Sequence, residues 1–172
     1  PISTYDLEAI TILAARAGGI SDLTSLEYFL NLQELYLEGN SIGDISALAG
    51  LTNLEVLHLS GNNVSDISAL TDLTNLEVLW VDSNNISDIS SLAGLTTLMG
   101  LDLAGNNISD ISPLVANSDF SEGDFVNLSG NPLSPTSVDV YIPQLEERGV
   151  GVLYTPTLVS VNFPDANLES AI

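Results

Sequence analysis

The sequence predicts an α/β solenoid: a right-handed superhelix of stacked coils, with a parallel β-sheet on the concave face and 3₁₀ or irregular turns on the convex face. Two observations carry this. Asn40, Asn62, Asn84 and Asn106 are spaced by 22 residues, as are Asp22, Asp44, Asp66, Asp88 and Asp110, and as are Leu35, Leu57, Leu79 and Leu101. Within each window the apolar residues first alternate over a short stretch and then recur every third residue, the mark of a strand followed by tight turns.

The elements follow in order. A weak first copy places Ile10, Leu13, Ala15, Ile20, Leu23, Leu26 and Phe29 in the apolar slots. Full copies begin at Asn31 (NLQELYLEGNSIGDISALAGLT), Asn53, Asn75 and Thr97, and a distorted copy carries Val126, Leu128, Asn131 and Leu133 after a spacing of 25. The extra residues fall in VANSDFSEGD, read as a loop. In each strand the alternate leucines, Leu35 and Leu37 for instance, point inward and the residue between them points out. The chain turns at Gly39-Asn40, where the amide can satisfy backbone groups that the turn would leave unpaired. Ile42, Ile45, Leu48 and Leu51 then close the coil, in segments too short for full helices. A single coil of this kind cannot offset its own ordering entropy, so stability must come from stacking neighbours.

The five aspartates at 22-residue spacing stack their charges on neighbouring coils. Capping of the following backbone N–H groups offsets that repulsion, and calcium along the ladder is the alternative reading.

Residues 1–133 are thus expected to form an array of about six coils and residues 134–156 a C-terminal cap. In the cap, Ser134 is the N-cap, Pro135 the first helical residue and Gly149 the residue past the end, with Pro143 kinking or shortening the helix and a short edge strand following. Residues 157–172 read as a linker and the start of a cap-like helix of a following array, with Asp165 capping Leu168 and Ile172 on one face. The start at Pro1, with no basic leader segment, is expected of a mature product or an excised fragment. A monomer is expected. Head-to-tail association through residues 157–172 is the alternative.

The pattern LxxLxLxxNxI followed by SDISxLxxL resembles the internalin-type leucine-rich repeats of bacterial surface proteins over about residues 6–156. It is also similar to the 22-residue repeats of a eukaryotic phosphatase-regulating protein. The first resemblance implies a secreted or surface-attached recognition or adhesion module that binds a protein or glycan, and the second an intracellular regulatory subunit. A structural spacer within a large exported protein is a further reading.

Composition narrows the partners. Acidic residues number 23 against two basic ones, Arg16 and Arg148, for a formal net charge of −21. Such a field repels phosphate, which excludes nucleic acid and anionic membranes as partners and favours basic or cation-bridged ones. No apolar run approaches a membrane span. There is no cysteine and a single histidine, and no nucleophile elbow, phosphate loop or zinc motif occurs, so no catalytic residue, cofactor or metal is expected. Sequons at Asn63, Asn85, Asn107 and Asn127 largely follow the repeat template.

The informative positions are those that the repeat leaves free on the strand face. Tyr36, His58 and Trp80 share one slot in successive coils and are expected to form a column across the concave sheet. Val56 and Val78 flank it, and Glu34, Glu38, Asp82 and Asp102 rim it, with Glu55 and Glu77 beside them. An aromatic centre inside a charged rim is the anatomy of a binding hot spot. The alternative is that these aromatics only stabilise the sheet by pairing across strands.

Overall fold

The computed structural model describes residue 7 and residues 9–155, and the cap-like segment expected at 157–172 lies outside the described residues. The windows stack as the repeat predicts. Among the described residues, seven three-residue strands, β1 (Ile12–Ala14), β2 (Glu34–Tyr36), β3 (Val56–His58), β4 (Val78–Trp80), β5 (Gly100–Asp102), β6 (Phe125–Asn127) and β7 (Gly151–Leu153), form one parallel sheet in chain order. The register is the repeat itself: Leu35 pairs with Leu57, Leu57 with Leu79 and Leu79 with Leu101, each a step of 22 residues. From β5 to β6 the step is 25, Leu101 pairing with Val126.

Every second residue of a strand points into the solenoid, so the core is a set of stacked leucine columns. Leu35, Leu57 and Leu79 are wholly buried, as are Ile42, Leu48, Leu51 and their equivalents on the turns. In the first coil, Leu13 and Ile20 are only half-buried. The convex segments are 3₁₀ turns at Leu26–Tyr28, Ser46–Leu48, Ser68–Leu70 and Ser90–Gly94. The fifth departs from that expectation and forms a short α-helix, α1 (Ser112–Ala116), with Pro113 in its first turn. Its carbonyl groups have somewhere to go, because Asn117 N–H donates to Pro113 O at 3.1 Å and the longer coil leaves room for the wider turn. The three extra residues of that coil bring Phe120 into the core, where it is 1% exposed.

The asparagine column is a hydrogen-bonded ladder. Asn84 Nδ2 donates to Val81 O in its own coil and to Leu59 O in the preceding one, both at 3.0 Å, while its Oδ1 accepts from Val64 N–H at 2.9 Å. Asn40, Asn62, Asn106 and Asn131 repeat these contacts. The carbonyls of Leu37, Leu59, Val81 and Leu103 therefore each take two amide donors, one from the asparagine of their own coil and one from that of the next. The glycine ahead of the asparagine is required by conformation, since Gly39, Gly61, Gly105 and Gly130 all have positive φ. In the fourth coil Ser83 takes that slot at φ 57°, a conformation that costs a residue with a Cβ.

A second ladder runs along the start of each coil. Asn53 Nδ2 donates to Leu30 O, Asn75 Nδ2 to Thr52 O and Thr97 Oγ1 to Thr74 O, at 2.8–2.9 Å. The aspartates cap as expected: the N–H groups of Thr24, Ser46, Ser68, Ser90 and Ser112 donate at 2.8 Å to Asp22, Asp44, Asp66, Asp88 and Asp110. In Asp44, Asp66 and Asp88 these backbone bonds, helped by the serine side chains, hold the carboxyl below its usual range, and in Asp22 the Thr24 hydroxyl contributes most. Any stability these groups supply is present above the ordinary carboxylate range and lost as pH falls through the lowered values.

The C-terminal helix begins as predicted, with Ser134 Oγ accepting from Ser137 N–H at 3.1 Å. Pro143 does not break it. Instead the preceding residues, Ser137–Tyr141, widen into a π turn, which accommodates the missing donor and the bulk of the ring, and α2 (Ile142–Glu147) continues. The helix ends where Gly149, at φ 87°, donates to Glu146 O and Val150 N–H donates to Leu145 O. A Cβ on Gly149 would also lie 3.0 Å from Cα of Glu122, so the position is closed to side chains twice over. Ile142, Leu145 and Val150 are buried against the last coil, and Arg148 ties the helix to the array by donating to the carbonyls of Val115 and Asn117.

Candidate functional site

Because the strands are in register, residues one repeat apart become neighbours on the concave face. Tyr36 pairs with His58, and His58 with Trp80. Their rings touch: Tyr36 and His58 meet edge-on with centroids 4.8 Å apart, and His58 lies flat on Trp80 at 4.0 Å with 12° between the planes. Trp80 is 46% exposed. The column extends one coil further than the three aromatic residues suggest, since the Arg16 guanidinium lies over the Tyr36 ring at 4.6 Å. The resulting run is cation, phenol, imidazole, indole and then the carboxylate of Asp102, which pairs with Trp80 across β4 and β5.

The flanking and rim residues fall where the repeat puts them, but they are not all free to act. Val56 and Val78 pair with each other beside the rings and are half-buried. Glu34 accepts the Tyr36 hydroxyl at 2.6 Å, which raises the tyrosine's pKa above its ordinary value. Glu38 accepts from Arg16 Nε at 2.5 Å. Asp82 accepts from the Ser60 hydroxyl, and Asp102 accepts from Ala104 N–H at 3.0 Å and from the Asn127 amide at 3.3 Å. Glu55 is joined to Gln33 at 3.3 Å, and Glu77 is exposed.

Sequence reasoning missed part of this face. Arg16 was visible at a free strand position, but its stacking on Tyr36 needs the third dimension. Met99 and Phe125 are 50% and 45% exposed beyond the column, and Leu153 is 50% exposed on the last strand. Aligning Val126 with Leu101 across the 25-residue step would have put Phe125 opposite Gly100, which is where it sits.

His58 is the most enclosed titratable group of the column, its side chain 12% exposed and Nδ1 4.0 Å from Glu38 Oε1. Burial lowers its pKa, with Arg16 adding to the effect, against the opposing pull of Glu38, Asp82 and Glu34. As the only histidine of the chain, it can be followed by NMR without assignment work. Its titration midpoint is expected below the ordinary 6.5. Because the unfolded chain then binds the proton more readily, stability from His58 is complete above about pH 6.5 and is lost as pH falls from there through the lowered folded value. A midpoint at or above 6.5 would mean that the carboxylates outweigh burial.

Among the described residues no group of three or more His, Cys, Asp or Glu side chains is placed to hold a metal ion, and no helix is long and apolar enough to cross a membrane.

Comparison with known proteins agrees with this architecture. The sequence pattern of leucine-rich repeats, taken two copies at a time, matches residues 30–72, 52–94 and 74–116. No protein of curated function matches the chain in sequence. Among solved structures, the chain is similar to an internalin (inlF) of Listeria monocytogenes, with 28% identity and a TM-score of 0.68 over 92% of this chain and 52% of that one. It is also similar to internalin C2 of Listeria monocytogenes, with 28% identity and a TM-score of 0.57 over 90% of this chain and 84% of that one. A leucine-rich-repeat protein of Leptospira interrogans shares the fold at 19% identity, with a TM-score of 0.60 over 73% of this chain and 38% of its own. The chain thus spans about half the length of the first of these relatives.

Proposed function

Since this chain belongs to the leucine-rich-repeat family and is of the internalin type, we propose that it is a recognition module, outside the cell or on its surface, that takes a protein or glycan ligand on its concave face. Arrays of this type are protein-interaction modules, and the finer assignment rests on one observation: an indole left nearly half exposed at the end of an ordered ring column. A soluble fold gains nothing from leaving its one tryptophan in water, whereas a partner burying that ring gains both its area and its rigidity. The acidic residues around it favour a basic or cation-bridged ligand. Affinity is then expected to fall as salt rises, because exposed charges are screened within about 10 Å at 0.1 M ionic strength.

The test is capture of ligands from a panel of purified surface ectodomains and glycans, followed by comparison of two variants. Trp80→Ala should abolish capture of a ligand bound by the wild-type protein while moving the melting temperature by no more than a degree or two. A convex-side control, Ser46→Ala, should leave capture intact. Ligands indifferent to Trp80→Ala would overturn the reading and favour the spacer role; a large loss of stability would instead make the column a support of the sheet.

A further inference from the structure

The ring column is built asymmetrically. At its N-terminal end the Tyr36 ring carries a guanidinium from the chain itself, with Glu38 as counter-ion. At its C-terminal end the arrangement repeats without a cation. His58 covers one face of Trp80, the indole remains 46% exposed, and the next residue of the column is the carboxylate of Asp102. Asp102 is held in place by Ala104 N–H and the Asn127 amide rather than being left to swing.

Space is provided beside it. Gly100 occupies the strand slot that Val78 and Phe125 fill in the adjoining coils. A Cβ there would meet only the Val78 methyl carbons, at 3.7 and 3.9 Å, so the missing side chain leaves a recess rather than relieving a clash. Met99 and Phe125, both about half exposed, stand at the edge of this region. The chain has no permanent cation of its own to spare: Arg16 is engaged with Glu38 and Tyr36, Arg148 with the carbonyls of Val115 and Asn117, and there is no lysine and no third arginine.

The geometry points to an arginine-binding subsite for a basic polypeptide: a partner's guanidinium stacks on the open side of Trp80 and donates to Asp102, its stem lying over Gly100. This deepens the concave-face reading above and rests on it. Arginine fits better than lysine because a planar, weakly hydrated guanidinium can lie on the indole and direct N–H groups to a carboxylate at once. The net charge of −21 supplies the long-range attraction, and the subsite supplies the register.

Trp80 is the single tryptophan, so its fluorescence reports this site alone. The probe is a hexa-arginine peptide titrated at physiological salt, with hexa-lysine and the neutral isostere hexa-citrulline as comparisons. Hexa-arginine should change Trp80 emission saturably and bind more tightly than hexa-lysine, and hexa-citrulline should do neither. Asp102→Asn, which keeps an acceptor for Ala104 N–H, and Gly100→Val, which fills the recess, should each weaken hexa-arginine binding about fivefold or more, the scale of one cation–ring or ion-pair contact. Asp66→Asn on the convex ladder should have little effect. Equal binding of hexa-lysine, or equal weakening by Asp66→Asn and Asp102→Asn, overturns the subsite in favour of diffuse charge attraction. Such a failure leaves ligand capture through Trp80 untouched, whereas loss of the concave-face reading itself shows as captured ectodomains or glycans that ignore Trp80→Ala.

Discussion

Asn84→Ala is expected to lower the free energy of unfolding by about 2–4 kcal/mol, the cost of orphaning one buried donor and thinning two acceptors. The Val64 N–H loses the Oδ1 that it donates to, while the carbonyls of Leu59 and Val81 each fall from two asparagine donors to one, Asn62 and Asn106 remaining. Water cannot readily step in, because Asn84 is 7% exposed and lies between coils. The neighbouring Asn85 is exposed, and Asn85→Ala should change stability by no more than about 0.5 kcal/mol. Urea unfolding of the two variants measures the difference. Equal midpoints would show that the ladder is decoration on a fold held by leucines alone.

Leu79→Ala is expected to cost about 2–5 kcal/mol, the range for removing a buried leucine where neighbours relax only in part. Leu79 is wholly buried and flanked in register by Leu57 and Leu101, both buried as well. Collapse into the gap is opposed from both sides, since each neighbour is held in its own strand. The same change at Leu13 should cost clearly less, because that side chain is only half-buried and pairs with Leu35 alone among the described strands. Denaturant melts of the two variants decide whether stability is set by the number of stacked neighbours. Equal losses would refute that dependence.

Much of this was readable from the chain alone, and for a physical reason. When a fold is one rung repeated, spacing in sequence becomes neighbourhood in space, so the 22-residue step foretold the strand register, both faces of each strand and the exposure of Trp80. The Asp22 to Asp110 caps were legible because a carboxylate two residues ahead of an N–H acts locally. What escaped is what depends on more than one coil at a time or on side-chain reach. The guanidinium of Arg16 crossing to Tyr36 is one case, and the engagement of Glu34 by the Tyr36 hydroxyl is another. The second ladder through Asn53, Asn75 and Thr97 was present in the pattern, but its partners lie 23 residues back, off the register that the main repeat draws attention to. The π turn ahead of Pro143 escaped because a proline's local effect depends on whether the turn before it can widen, and here it can.

The constant offset between rungs has a genetic corollary. In the stretch from β2 to β5, the strand and asparagine partners that join one coil to the next are found by counting 22 residues or a fixed number near it. An in-frame gain or loss of one 66-base unit there returns each group to an equivalent partner, so the length of the array is free to drift by unequal crossing-over while its interior stays correct. The 25-residue step into β6 is the exception. That junction, with Phe120 plugging it and Arg148 fastening α2 across it, has no equivalent in the interior coils and cannot be exchanged for one of them.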